Sequence, residues 1–185
     1  MTQTIEIPVY RAITGSGKFA NHRWTHEGVS DERLAKRGIF CDNRSFAQYS
    51  SPPSSTGPYL RVPGLPVFLN FDEAVFWVDG KEYETAPAIV EAQLTTEHLF
   101  GNNRRIRLVR NYWNKAEGYE PTNEEIQNHL TGKEIIRGEC FLQGVNGNRL
   151  EEQLHHIKRI YRPNKTQDGR FDVKEGFKVT EPAQE

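Results

Sequence analysis

At 185 residues, with 24 basic against 25 acidic side chains and a formal net charge of -1, the chain has the length of one domain and no field strong enough to draw it to nucleic acid or anionic lipid. No apolar run approaches the roughly 18 residues that span a bilayer, and MTQTIEIPVY has neither a basic nor an apolar leader region, so a cytoplasmic protein without a membrane partner is expected. Hydrophobic residues make up only 36%, but the aromatic residues (Trp 3, Tyr 7, Phe 10) supply large apolar bodies, and an aromatic-dominated single core is expected over residues 1–185.

In chain order, Thr4 to Ile13 reads as a strand and Lys18 to Glu27 as a second, across the turn Thr14-Gly15-Ser16-Gly17. Ser30 caps a short helix through Lys36 that Gly38 ends, and Gly38 to Ser50 carries the residues of a third strand. The run 51–66, rich in Pro, Ser and Gly, is an irregular loop that serves as a lid or rim. VFLNF and AVFWV read as strands flanking Asp72-Glu73, and Asp79-Gly80 as a hairpin turn. Val90 to Trp113 alternates apolar and polar residues on both sides of Gly101-Asn102-Asn103, the pattern of a long β-hairpin. A polar insertion, 114–132, holds a short helix that begins after Thr122. Asn146-Gly147 is a strong two-residue turn. Residues 149–161 fit a helix by the spacing of Leu150, Leu154, Ile157 and Tyr161, and fit a strand by their position after that turn; the strand is favoured. RFDVKEGFKVT is a last strand, and 181–185 a disordered tail. The sum is a mainly β chain of eight or more strands with two short helices.

Alternation places Ile106, Leu108, Arg110 and Tyr112 on one face of their strand. If that face is the inner one, Arg110 needs an acidic partner from protein or ligand, because an unpaired buried guanidinium costs several kcal/mol. Arg104, Arg105, Arg107 and Lys115 read as a solvated face balanced by Glu91 and Glu97 across the hairpin. An apolar pocket lined by Phe68, Phe76, Trp77 and Phe100, with Tyr112 beside Arg110, suits a small hydrophobic anion. A catalytic alternative uses a carboxylate among Glu91, Glu97, Glu139 and Glu152 with His98 or His156. Ala12 to Lys18 imitates a phosphate-binding loop, yet Phe19 stands where a Ser or Thr would hold Mg²⁺. His22 and His26 would lie about 13 Å apart on a strand, and with Glu27 and the His155-His156 pair they build no metal site; neither metal nor cofactor is expected. Cys41 and Cys140 read as small buried hydrophobes.

The runs HLFGNNRRIRLVRNYW and LEEQLHHIKRIYRPNKTQDGRF resemble strands of calycin or lipocalin-like barrels, and more loosely those of cyanobacterial S-type phycobiliprotein lyases. That resemblance implies a single antiparallel up-and-down barrel with a ligand cavity, and an open-chain tetrapyrrole as one ligand class. Three functions stand at this point: a carrier or chromophore lyase that binds a hydrophobic, acidic small molecule; a cofactor-independent acid/base isomerase or cyclase; and an interaction module for a client protein.

Overall fold

The computed structural model describes residues 4–13, 34, 39, 64–78, 87–110, 119–154 and 157–182. The expected strand over 18–27, all of the expected 38–50 strand but Ile39, most of the 30–38 helix, residues 51–63 of the loop, the Asp79-Gly80 turn and Tyr112 lie outside the described residues, as do His22, His26, Glu27, Cys41, His155 and His156.

Seven strands and four helices are present among the described residues: β1 (Glu6–Ile13), β2 (Leu65–Val67), α1 (Phe71–Val78), β3 (Ala88–Thr95), α2 (Thr96–Phe100), β4 (Ile106–Arg110), α3 (Asn123–Leu130), β5 (Cys140–Gly144), α4 (Leu150–Gln153), β6 (Arg159–Lys165) and β7 (Phe171–Thr180). The chain is mainly β. All strand pairs are antiparallel, in a four-stranded sheet of order β1-β3-β6-β7 and a three-stranded sheet of order β2-β5-β4. One antiparallel bridge ties the sheets, with Tyr10 N–H to the Phe68 carbonyl at 2.8 Å and Phe68 N–H to the Tyr10 carbonyl at 2.7 Å. No helix among the described residues is long and apolar enough to cross a membrane.

The Val90–Trp113 hairpin does not form. β3 lies between β1 and β6, and β4 pairs with β5 in the other sheet. Thr95 is the reason: its side chain accepts the His98 N–H at 3.2 Å, which caps α2, and Gly101 stops that helix by donating to the Glu97 carbonyl. An N-cap thus outweighs alternation and carries the chain from one sheet to the next.

AVFWV is helical rather than extended. Phe71, Ala74, Val75 and Val78 recur at the spacing of one helical stripe. Asn70 accepts the Asp72 N–H at 2.9 Å, and Asp72 and Glu73 complement the helix N-terminus. The expected helix after Thr122 is present with a full capping box, in which Thr122 and Glu125 satisfy one another's backbone amides. The Asn146-Gly147 turn is also present, with φ of 55° and 77° and an Asn148 N–H to Val145 carbonyl bond of 3.0 Å. It starts no hairpin, because β5 is the central strand of its sheet and both its edges are taken by β2 and β4. The chain turns instead into α4, and strand geometry resumes only at Arg159. Residues 149–161 are therefore part helix and part strand, which corrects the all-strand reading.

The inner faces of both sheets meet in one cluster that includes Ile7, Val9, Leu65, Val67, Val90, Leu94, Ile106, Leu108, Leu142 and Ile160. Each such side chain contributes about 1.5–3 kcal/mol when fully buried. No aromatic ring among the described residues belongs to this cluster, so the expectation of an aromatic-dominated interior is corrected. The rings gather on the second face of the four-stranded sheet, under α1, where Phe68, Ala74, Val78 and Ile89 pack with Tyr10, Phe71, Tyr161 and Phe177.

Candidate functional site: the aromatic face under helix α1

Helix α1 buries Ala74 and Val78, which turns Phe76 and Trp77 outward at 80% and 41% exposure. Trp77 keeps its ring 6.3 Å from that of Phe68. Beneath, Phe71 stands 5.4 Å from Tyr10, 4.6 Å from Tyr161 and 5.7 Å from Phe177, centroid to centroid, a continuous aromatic layer.

Arg110 reaches the base of the same helix. It ends β4, its backbone pairs with Tyr119 at 2.7 and 3.0 Å, and it is half-buried rather than enclosed. Its Nη2 donates to the Arg137 carbonyl at 2.8 Å, while the Gly138 N–H donates to both carboxylate oxygens of Glu73 at 2.9 and 3.0 Å. These are the two ends of one peptide group, with a cation at its oxygen and an anion at its N–H. Gly138 has φ of 90°, which a residue without a Cβ adopts at low cost. Phe76 and Trp77 follow Glu73 by three and four residues, so all three stand on neighbouring positions of one helical turn. Phe68 and Trp77 are thereby in ring contact, Phe76 is next to Trp77 on the helix, and Arg110 is linked to the same helix through the Arg137–Gly138 peptide. Phe100, 39% exposed, ends α2 and makes no ring contact with them among the described residues.

The inward cation of the apolar cluster is Arg11, not Arg110. Arg11 shares its face of β1 with Val9 and Ile13 and is 2% exposed. Both arginines alternate with apolar residues, but Arg11 sits within a strand and Arg110 at a strand end, where the side chain can turn outward.

A second polar group lies in the aromatic layer. Glu91, 3% exposed, stands opposite Tyr10 of β1 and Arg159 of β6. Its carboxylate accepts from the Tyr161 hydroxyl at 2.6 Å and from Gln93 Nε2 at 3.1 Å, and Arg159 Nη1 lies at 3.6 Å. Burial first, and then the hydrogen bond to Glu91, push the Tyr161 phenol up to about 12. Burial and the Glu91 charge also raise Tyr10. An acid alone within the apolar run AIVEAQL marks Glu91 in the sequence; its partners on β1 and β6 carry no such local mark.

The other catalytic candidates do not converge. Glu97 is exposed on α2 and His98 is half-buried beside it, and no hydrogen bond or ion pair among the described residues joins either side chain to Glu91. Glu139 adjoins Cys140, Glu152 belongs to α4, and the side chain of Glu152 lies outside the described residues. Cys140 is buried and reduced, and burial pushes its thiol up to about 12, far from a nucleophile's range. No group of three metal-ligating side chains is present among the described residues. No family model matches the chain, and no curated protein or solved structure matches it.

Proposed function

We propose that the protein binds a hydrophobic, acidic small molecule as a carrier or chromophore chaperone, with Phe76, Trp77 and Phe68 gripping the apolar body and Arg110 meeting the acid. The observation that carries this reading is the exposure of two large rings one helical turn from the Glu73–Gly138–Arg110 contact. Covering a ring such as Phe76 is worth about 1.5–3 kcal/mol, and a guanidinium adds a bidentate donor for carboxylate. In this reading the two bridged sheets are parts of a rolled, calycin-like wall, supported by the Tyr10–Phe68 bridge and the shared inner cluster. An open-chain tetrapyrrole, with propionate groups on an extended ring system, is the first ligand class to test.

Titration of the full chain with biliverdin, followed by quenching of tryptophan fluorescence, is the test. Saturable binding that weakens in Phe76→Ala and in Arg110→Gln supports the reading. Equal affinity in both variants, or no binding, rejects it.

The second reading is acid/base catalysis at Glu91, favoured by a nearly enclosed carboxylate hydrogen-bonded to a phenol. Its test is loss of any proton-transfer activity found for the protein in Glu91→Gln with folding retained.

A further inference from the structure

The outer face at the start of β4 gathers three arginines, Arg104, Arg105 and Arg107. Ile106 and Leu108 point inward, so Arg105 and Arg107 point outward, and Arg104 precedes them. Among the described residues one carboxylate serves these three guanidinium groups: Glu120 accepts from Arg104 Nη2 at 2.7 Å and from Arg107 Nε. Among the described residues Arg105 meets a neutral group, the Gln153 side-chain oxygen at 3.2 Å. Glu91, opposite Tyr10 and Arg159 in the other sheet, does not serve this face, and Glu97 forms no ion pair with it among the described residues. Arg104 Nε is buried and makes no hydrogen bond among the described residues. Counted among the described residues, three guanidinium groups thus share one carboxylate at the start of β4, in a chain whose formal net charge is -1.

We infer that this face docks an extended acidic segment of a partner protein, bearing Asp or Glu at alternate positions. Glu120 already displays the recognition chemistry, one carboxylate held by two arginines. Residues two apart on a strand lie about 6.6–6.8 Å from one another, so alternate acids on an extended segment match Arg105 and Arg107 in spacing as well as sign. Arginine suits the task because its planar fork meets a carboxylate with two parallel donors. Nucleic acid fits less well: Phe141, the one ring that shares a buried cluster with Val109 of β4, is itself buried and offers no platform for bases. The inference uses residues apart from the α1 site and stands independently of it.

The experiment is fluorescence anisotropy with a labelled peptide of alternating Glu and Thr at low salt, with labelled oligo-dT as the competing class. Charge reversal in Arg105→Glu/Arg107→Glu lowers peptide affinity by about tenfold or more. Glu120→Gln raises it, because the internal carboxylate no longer competes for Arg104 and Arg107. Should Glu120→Gln fail to fold by circular dichroism, the exposed-face variant alone decides. No binding by the wild-type chain, equal affinity in the charge-reversed variant, or tighter binding of oligo-dT than of the peptide overturns the inference.

Discussion

Tyr161→Phe is the sharpest test of the Glu91 cluster, because it deletes one oxygen and leaves the aromatic packing intact. The lost bond joins residues 70 apart in sequence, at 2.6 Å, and its acceptor is a carboxylate 3% exposed. A hydrogen bond to a charged group contributes about 1.5–3 kcal/mol. Gln93 and Arg159 remain to serve the carboxylate, so a destabilisation of about 2 kcal/mol is expected, and a melting temperature lower by about 4–8 °C for a chain of this size. The pH dependence gives a separate check. The phenol is raised from 10.0 to about 12 in the folded state. Its neutral form is therefore favoured by folding, and the stabilisation is complete below pH 10 and lost as pH rises through about 12. Two pH units would be worth about 2.7 kcal/mol for an enclosed group; Tyr161 is only partly buried, and solvent screening reduces this to about 1–2 kcal/mol. Urea unfolding of both proteins between pH 7 and 12 measures it. The variant should be less stable at pH 7 and should approach the wild type as pH climbs. Coincident curves at pH 7 would refute the account of Glu91 as a hydrogen-bonded, enclosed carboxylate.

Other outcomes follow from single contacts. In a Cys41→Ser background, Cys140 should stay unlabelled by a thiol reagent at pH 8 and react fully in denaturant, because burial lifts its thiol to about 12; rapid labelling of the folded protein would contradict that burial. Gly64→Ala should cost more than Gly138→Ala in chemical denaturation. Both have positive φ, but a Cβ at Gly64 would meet the Leu142 carbonyl oxygen at 2.7 Å while none stands within 4 Å of one at Gly138, where only backbone strain of about 1–2 kcal/mol applies. Thr122→Ala should lose about 1 kcal/mol with the α3 cap, and thermal melts showing no change would mean that the capping box contributes nothing to stability.

How far the fold could be read from the sequence depends on the range of the forces involved. The α3 capping box, the Asn146-Gly147 turn, β1 and β7 are each specified within a few residues, and the structure contains them. Pairing is another matter. Alternation on both sides of Gly101 is the same whether the two strands face one another or belong to different sheets, and the outcome turned on the Thr95 cap and on partners about 80 residues upstream and 70 downstream. Helix α1 was legible in principle, since Phe71, Ala74, Val75 and Val78 keep helical spacing, but the short unbroken apolar run AVFWV also fits a buried strand. At the site, the residue types were legible while their grouping was not. Arg110, Phe76 and Trp77 stand out in the sequence, yet Gly138, which joins Arg110 to Glu73, looks like any loop glycine. Likewise the choice between Arg11 and Arg110 as the enclosed cation rests on strand ends, the least certain part of any reading by periodicity.

The peptide between Arg137 and Gly138 has a consequence of its own. Rotating that plane by half a turn would aim its oxygen at a carboxylate and its hydrogen at a guanidinium, two repulsions in place of two attractions. A stretch of backbone with no sheet or helix to hold it therefore has one favoured orientation, set by side chains 37 positions apart in the sequence, and neutralising either one leaves the other to hold the plane alone.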